Sequence, residues 1–377
     1  MPTTNRGRIP KREANFPFES CWAQRILHTS KPVSVDLLAC QGVSASSLYG
    51  LYDVLASVGA GWETYVTGDA PRPRFKVRIV SDATTTFRCA SGIPITPDAS
   101  LGDAESSDII VVPGMSVSAA EPLGEAYSEL STWLRRAQSD GATIASACTG
   151  SLMLAEAGLL DDLEATTHWA FRDLFRRCYP RVRLRPEKSL CCSDVRPDIV
   201  TSGGTTAWQE LALFLITRHA GLDEAVRAAK FWLLPDRGTL QAPYMAMPLG
   251  VPHDDETVRD CQVWISENYA TRNPVGAMVR RSGLPPTTFN RRFRRATGYA
   301  AIDYVHTVRI EEAKQILETT EASIDNIGSE VGYEDAASFR RLFKRKSGLT
   351  PAEYRRLFGR RRFRRYQLEG RSAPRDG

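Results

Sequence analysis

The sequence predicts two domains of different class: an α/β domain with a doubly wound, mostly parallel sheet, followed by an all-α domain. Before residue 234, short apolar runs of strand character alternate with helical segments, which is typical of a parallel sheet covered by helices on both faces. After residue 254, every periodic segment is helical. A length of 377 residues accommodates two ordinary domains.

The first domain is predicted from apolar runs bounded by turn residues. Strands are expected at 33–39, 76–80, 108–112, 143–147 and 199–201. Helices are expected at 46–58, 123–139 and 206–219, and Leu130, Trp133 and Leu134 are assigned to the core. This alternation predicts a flavodoxin-like α/β fold.

Composition marks the boundaries of the domains. Residues 234–254 are rich in Pro and Gly and have no sustained period, so a linker is placed at 235–253. The α/β domain is therefore assigned to 32–234 and the helical domain to 254–358. Basic segments at 1–31 and 359–377 are interpreted as flexible tails.

An internal repeat dominates the second domain. Residues 289–298 read FNRRFRRATG, and residues 339–348, at an offset of 50 residues, read FRRLFKRKSG. The two phenylalanines of each copy are four residues apart, which places Phe289 with Phe293, and Phe339 with Phe343, on one helical face toward a core. The glycine that ends each copy suits a helix C-cap.

A short helix and a glycine turn precede each copy. Asn273 is expected to cap a helix that begins at Pro274 and ends before Gly283. Ser323 is expected to cap a second one, over 324–331, that ends before Gly332. Each copy is thus a helix-turn-helix. A connecting helix over 301–318 would span roughly 27 Å, which suits two motifs entering successive major grooves about 34 Å apart.

Charge supports a polyanionic partner for the second domain. Residues 251–377 carry 24 Lys and Arg against 17 Asp and Glu, whereas the first 250 residues carry 25 against 27. A basic module joined to a nearly neutral one is typical of DNA-binding proteins. Exposed Arg and Lys of the repeats, Arg294 and Lys344 among them, are expected to contact phosphates.

Residues 327–356, IGSEVGYEDAASFRRLFKRKSGLTPAEYRR, resemble the signature of the AraC family of bacterial regulators, and the resemblance covers about 254–358. It implies base-facing positions on both recognition helices. On the first helix these positions are Thr287, Asn290 and Arg291, and on the second they are Ala337, Arg340 and Arg341. Arg291 and Arg341 are each able to pair with guanine, although which of them reads bases rather than phosphates stays open.

The first domain contains a motif with chemical potential at Cys148. The strand 143–147 leads into Cys148, then Gly150, then a helix, which resembles a nucleophile elbow. The helix N-terminus is expected to favour the thiolate. Asp36, Asp53 and Glu63 are isolated acids, expected at the surface or at helix ends.

Four segments together resemble the glutamine-amidotransferase-like superfamily that includes PfpI-type peptidases, over about 32–222. They are VVPGM (111–115), SACTGSLMLAEAGLL (146–160), ATTHW (165–169) and TSGGTTAWQELALFLI (201–216). The resemblance implies that Cys148 and His168 occupy the catalytic positions but that Ser47 stands where catalytic members carry an acid. We therefore expect a degenerate site without catalysis. A ligand pocket is expected instead, formed by Ser47, Gly114, Cys148, Thr149, His168 and Gly203.

These observations predict a cytoplasmic, sequence-specific transcriptional regulator, with promoter DNA, a small-molecule effector, a second copy of the chain and RNA polymerase as partners. No membrane span, cofactor or metal site is predicted, because long apolar runs and metal-ligand spacings are absent from the sequence. The scattered cysteines favour a reduced compartment. A cysteine-dependent hydrolase or hydratase with a DNA-binding appendage is one alternative. A constitutive DNA-binding protein whose first domain only dimerises is another. Activation and repression are both open.

Overall fold

The computed structural model describes residues 31–83, 85–102, 107–193, 195–234, 241–245 and 253–360. The chain divides into two compact units near residue 237. The predicted tails at 1–31 and 359–377 lie outside the described residues except for residues 31, 359 and 360, and so does much of the predicted linker. Between the two gaps of that linker, Ala242–Tyr244 forms a single 3-10 turn.

The first unit is built on a seven-stranded sheet. The strands of this main sheet are β1 Val33–Leu38, β2 Phe75–Ser81, β5 Ala99–Ser100, β6 Ile109–Val112, β7 Thr143–Ala147, β10 Leu190–Cys192 and β11 Ile199–Ser202. Two small two-stranded sheets are formed by β3 Phe87–Arg88 with β4 Pro94–Ile95, and by β8 Glu164–Ala165 with β9 Arg183–Leu184. The main sheet has the order β10-β11-β7-β6-β1-β2-β5. Every neighbouring pair in it is parallel except β10 with β11.

Helices cover both faces of this sheet. They are α1 Ala45–Ala56, α2 Ser128–Ser139, α3 Ser151–Glu156, α4 Arg172–Cys178, α5 Trp208–Ala220 and α6 Leu222–Phe231. Side chains of α1, α5 and α6 form one buried cluster with the sheet, and those of α2, α3 and α4 form another on the opposite face. The apolar sides of the six helices and both faces of the sheet are thereby removed from water. The prediction of a doubly wound, flavodoxin-like fold is confirmed.

Three details of the first unit differ from the expectations. The helix predicted from residue 123 begins at Ser128, after a 3-10 turn, and Trp133 is only half buried. Helices α4 and α6 were not predicted. Asp36 is not a surface acid: it is 1% exposed, and its carboxylate binds the Arg78 guanidinium at 2.9 and 3.0 Å.

The second unit is entirely helical over the part of it that is described. Its helices are α7 Glu256–Asn268, α8 Pro274–Ser282, α9 Pro286–Thr297, α10 Ala301–Thr319, α11 Ile324–Glu330, α12 Ala336–Ser347 and α13 Pro351–Phe358. The pairs α8–α9 and α11–α12 are the two helix-turn-helix motifs, and α10 connects them. Nineteen residues give α10 a length of about 28 Å.

Two separate cores reflect the sequence repeat. Phe289 and Phe293 pack with α7, α8 and the first half of α10, whereas Phe339 and Phe343 pack with the second half of α10, α11 and α13. All four phenylalanines are 0% exposed, as their spacing predicts. Ile302, at the start of α10, is 47% exposed.

The predicted caps of the second unit are present. Asn273 accepts a hydrogen bond from the Gly276 amide at 3.0 Å, and Ser323 accepts one from the Asn326 amide at 3.1 Å. Gly298 and Gly348 end the recognition helices with φ of 76° and 80°, a conformation that glycine adopts without strain.

Of the helices in the described ranges, none combines the length and the apolar character needed to cross a membrane.

Candidate functional site

The eight predicted DNA-contacting side chains all lie on the exposed sides of α9 and α12. They are Thr287, Asn290, Arg291 and Arg294 on α9, and Ala337, Arg340, Arg341 and Lys344 on α12. The buried phenylalanines occupy the opposite side of each helix. Each recognition helix therefore turns a polar, mostly basic surface to solvent while its apolar side is held by the core.

The guanidinium groups of the first recognition helix have few competing partners. Within the residues that the structure describes, neither Arg291 nor Arg294 forms an ion pair or a side-chain hydrogen bond. Asn290 donates to the Pro286 carbonyl at 2.9 Å. Arg292, which was not predicted to matter, binds both carboxylate oxygens of Asp255 at 2.8 and 2.9 Å and so fastens α9 to the start of α7.

The second recognition helix differs because its arginines are held by acids. Arg340 forms an ion pair with Asp325 of α11. Arg341 donates to the Ser338 hydroxyl at 2.9 Å and lies 3.8 Å from the Asp335 carboxylate. Asp335 also caps α12, accepting from the Ala337 and Ser338 amides. Any DNA contact by these two arginines would have to compete with, or share, their existing carboxylate partners.

The first unit contains a cavity of about 370 Å³ where β6 and β7 end, beside the start of α1. Five of the six predicted pocket residues line it: Ser47, Gly114, Cys148, Thr149 and His168. Ser44, Ala90, Met115, Ser116, Val117, Phe171 and Thr205 complete the lining and were not predicted. The described side chains around this cavity are apolar, hydroxyl, thiol and imidazole groups, without a carboxylate, guanidinium or ammonium.

The sixth predicted pocket residue, Gly203, lies outside the lining. It is buried, and its amide donates to the Ser189 carbonyl at 2.8 Å just beyond the paired edge of β10 and β11. Thr205, two residues further on, lines the cavity where Gly203 was expected. The segment 201–216 identified the correct loop, but the pairing of β10 with β11 decides which residue of the loop faces the cavity.

Cys148 has the backbone of a nucleophile elbow. Its φ is 57°, an unusual value for a residue other than glycine, at the turn between β7 and α3. A side chain at Gly150 would collide with the Val112 carbonyl, so glycine is required there. The Thr149 hydroxyl bonds the Met115 carbonyl at 2.6 Å and accepts from the Met115 amide at 2.8 Å, which ties the elbow to the end of β6.

The electrostatics do not favour the thiolate that the sequence led us to expect. Burial raises the pKa of Cys148, and hydrogen bonds from Thr149 only partly oppose it. Burial also disfavours the charged form of His168 and lowers the pKa of its imidazole, which is therefore neutral at pH 7. Helix α3 has only six residues and begins three positions after the thiol, so its N-terminal dipole is a weak influence on a buried sulfur.

The groups of a catalytic triad are not connected here. In the described part of the chain no hydrogen bond joins the Cys148 thiol to the His168 ring, and His168 Nδ1 instead accepts from the Ala170 amide at 3.2 Å. Ser47, at the acid position, is 2% exposed, and its hydroxyl accepts a hydrogen bond from the Gly114 amide at 3.3 Å. No cluster of three or more His, Cys, Asp or Glu suited to a metal occurs among the described residues.

Known families match both units. The DJ-1/PfpI family model matches residues 34–218, and a helix-turn-helix domain model matches residues 278–357. The chain belongs to the AraC-type helix-turn-helix regulators that carry a DJ-1/PfpI domain. The cavity beside Cys148 thus lies in the DJ-1/PfpI domain, and α9 and α12 lie in the AraC-type domain.

Three similar proteins include two transcriptional regulators and one enzyme. The HTH-type transcriptional regulator CdhR of Pseudomonas aeruginosa is 26% identical over 71% of this chain and 77% of its own length. The HTH-type transcriptional regulator GlxA of Rhizobium meliloti is 26% identical over 77% of this chain and 88% of its own length. An isonitrile hydratase of Pseudomonas putida is 31% identical over 51% of this chain and 75% of its own length.

Proposed function

We propose that this AraC-type regulator binds promoter DNA through α9 and α12 and that a small molecule, bound in the cavity beside Cys148, controls this binding. The observation that carries the DNA half is the duplicated arrangement of eight exposed recognition positions above two buried phenylalanine pairs. Base edges would be read by Thr287, Asn290 and Arg291 on α9 and by their counterparts on α12, and Arg294 and Lys344 would contact phosphates.

The effector half of the proposal rests on the cavity. A volume of about 370 Å³ suits a small metabolite. The Ser47 hydroxyl, which accepts from the Gly114 amide and keeps its own proton, offers a fixed donor. We infer that the effector favours one arrangement of the DNA-binding helices over another, with the DJ-1/PfpI domain pairing two copies of the chain. The regulator would act in the cytoplasm and engage RNA polymerase at the promoter.

A cysteine-dependent hydratase is the second candidate, because the isonitrile hydratase relative is 31% identical to this chain. Three features of the site weigh against it. Burial raises the pKa of the Cys148 thiol, His168 makes no hydrogen bond with that thiol, and Ser47 supplies no carboxylate. A raised thiol pKa reduces the fraction of nucleophile present at neutral pH.

Selection from a pool of random DNA duplexes tests the DNA half. Wild type should enrich a motif with two half-sites about one helical turn apart, and Arg291→Ala should weaken binding and relax sequence preference at one half-site only. Arg136→Ala removes one positive charge from an exposed position on α2 and serves as the matched control. Affinity that merely falls with salt, without an enriched motif in the presence or absence of metabolites, would contradict specific recognition.

The effector half needs a separate test. Ser116 lines the cavity with no side-chain hydrogen bond among the described residues, so Ser116→Trp should fill the space without unfolding the domain. We expect metabolites that raise the wild-type melting temperature to lose that effect in Ser116→Trp and to keep it in Ala119→Trp, whose site is exposed. An equal response of both variants would place the effector elsewhere.

A further inference from the structure

A second cavity lies in the DJ-1/PfpI domain at the other end of α1. Ser44 and Ser47, at the start of α1, line the cavity beside Cys148, whereas Gly59, just beyond the end of α1, lines the second one. A helix of twelve residues spans about 18 Å, and no residue lines both cavities. The second cavity measures about 500 Å³. Its charged lining residues are Glu63, Asp69, Arg72, Arg74, Glu224 and Arg227, and Trp62 and Thr67 lie beside them.

The acidic side of this cavity has an unsatisfied oxygen. Arg227 lies between the two glutamates, 3.0 Å from Glu224 Oε1 and 3.6 Å from Glu63 Oε1. The other oxygen of Glu63, Oε2, is buried and has no hydrogen-bond partner among the described residues. A buried carboxylate oxygen without a donor is unfavourable, so this atom is a ready acceptor for a cationic N–H group.

The basic side offers guanidinium groups that are not otherwise engaged. Neither Arg72 nor Arg74 forms an ion pair or a side-chain hydrogen bond within the described ranges. Their backbone is nevertheless fixed, because the Arg72 amide donates to Gly59 and the Arg74 amide donates to Val58 at 3.0 Å. A side chain at Gly59, whose φ is 75°, would collide with the Arg72 carbonyl, so the close approach depends on glycine.

We propose that this second cavity binds a free α-amino acid as a zwitterion. Its ammonium group would donate to Glu63 Oε2, and its carboxylate would accept from Arg72 and Arg74, whose planar guanidinium groups match a carboxylate. Trp62 and the remaining volume would receive the side chain. A ligand with only one of the two charges leaves either the Glu63 oxygen or both arginines without a partner, and is therefore disfavoured.

Calorimetric titration of the full chain with each of the twenty L-α-amino acids tests this inference. At least one should bind saturably with one site per chain, and its amide and its N-acetyl derivative, which each lack one charge, should bind at least tenfold more weakly. Glu63→Gln and Arg72→Gln should each weaken binding at least tenfold. Arg72 is exposed, so its replacement leaves folding intact even if Glu63→Gln does not.

Cys148→Ala is the control for the first cavity and should leave amino-acid affinity unchanged. Binding that disappears in Cys148→Ala and survives in Glu63→Gln and Arg72→Gln would overturn the inference by placing the ligand beside Cys148. So would a titration in which none of the twenty amino acids binds. Either result leaves the proposed DNA recognition intact, because that is measured separately by duplex selection.

Discussion

The guanidinium of Arg309 donates a hydrogen bond of 2.8 Å to the carbonyl oxygen of Gly332, so the connecting helix α10 is bonded directly to the turn of the second helix-turn-helix. The same side chain donates to the Tyr269 carbonyl at 2.7 Å and the Thr271 carbonyl at 2.8 Å, just beyond α7. Arg309 is 6% exposed. One buried cation therefore joins the first half of the DNA-binding domain to the second.

Replacement of Arg309 by Met should destabilise the DNA-binding domain by about 3 kcal/mol, because three carbonyl oxygens lose their donor in a buried site. Thermal unfolding followed by circular dichroism would measure the loss. Arg272→Met is the matched control, since Arg272 pairs with Glu334 between the same two segments but is 89% exposed, and it should change stability little. Equal effects of the two variants would contradict a special role for Arg309.

The Asp255–Arg292 pair predicts a pH dependence. The hydrogen bond from Arg292 holds the pKa of Asp255 below its ordinary value of 3.8. A depressed folded-state pKa contributes stability that is present above the unfolded value and is lost as pH falls through the folded one. Asp255→Asn keeps the helix cap but removes the charge, so it should be less stable than wild type at pH 7, and the difference should shrink below about pH 4. A difference that stays constant down to pH 3 would exclude this charge as its origin.

Cys148 should react slowly with iodoacetamide at neutral pH, because burial raises the pKa of its thiol and alkylation needs the thiolate. Its labelling rate, followed by mass spectrometry of the peptide that contains it, should lag behind that of a small free thiol at pH 7. The rate should keep rising with pH after the free thiol has levelled off. Rapid labelling at pH 7 would instead support the hydratase alternative.

Asp325→Asn should release Arg340 for DNA, since the two form an ion pair between α11 and α12. We expect the affinity for the selected duplex to rise a few-fold, because Arg340 no longer has to leave a carboxylate in order to reach a base edge. Fluorescence anisotropy would measure this affinity. Asp260→Asn removes the same charge from an exposed position on α7. If that control gained as much, net charge alone would explain the result.

Local patterns made the second domain predictable at the level of single residues. Phe289 and Phe293 are four residues apart, as are Phe339 and Phe343, and this separation matches the period of a helix. All four side chains are fully buried. The caps Asn273 and Ser323 act within three residues of themselves, so chain order suffices to identify them. In the first domain, the strand-to-helix turn identified Cys148 from local order, whereas Thr149 was assigned to the pocket from the family resemblance.

Contacts between distant residues were not predictable in this way. Asp255 and Arg292 are 37 positions apart, and Arg309 and Gly332 are 23 apart, so neither pair leaves a local signal. Gly203 was assigned to the pocket from its motif, yet the pairing of β10 with β11 turns it away and brings Thr205 to the lining.

The sequence by itself determined the two domain classes, the repeat, the polar face of each recognition helix and the elbow at Cys148, because each depends on residues close along the chain. Only the tertiary structure decided the ionisation tendency of Cys148 and the partners of Arg340 and Arg341. It also decided the existence of a second, mixed-charge cavity around Glu63 and Arg74. Burial and electrostatic pairing depend on which surfaces meet after folding, and those energies have no counterpart in the local order of residues.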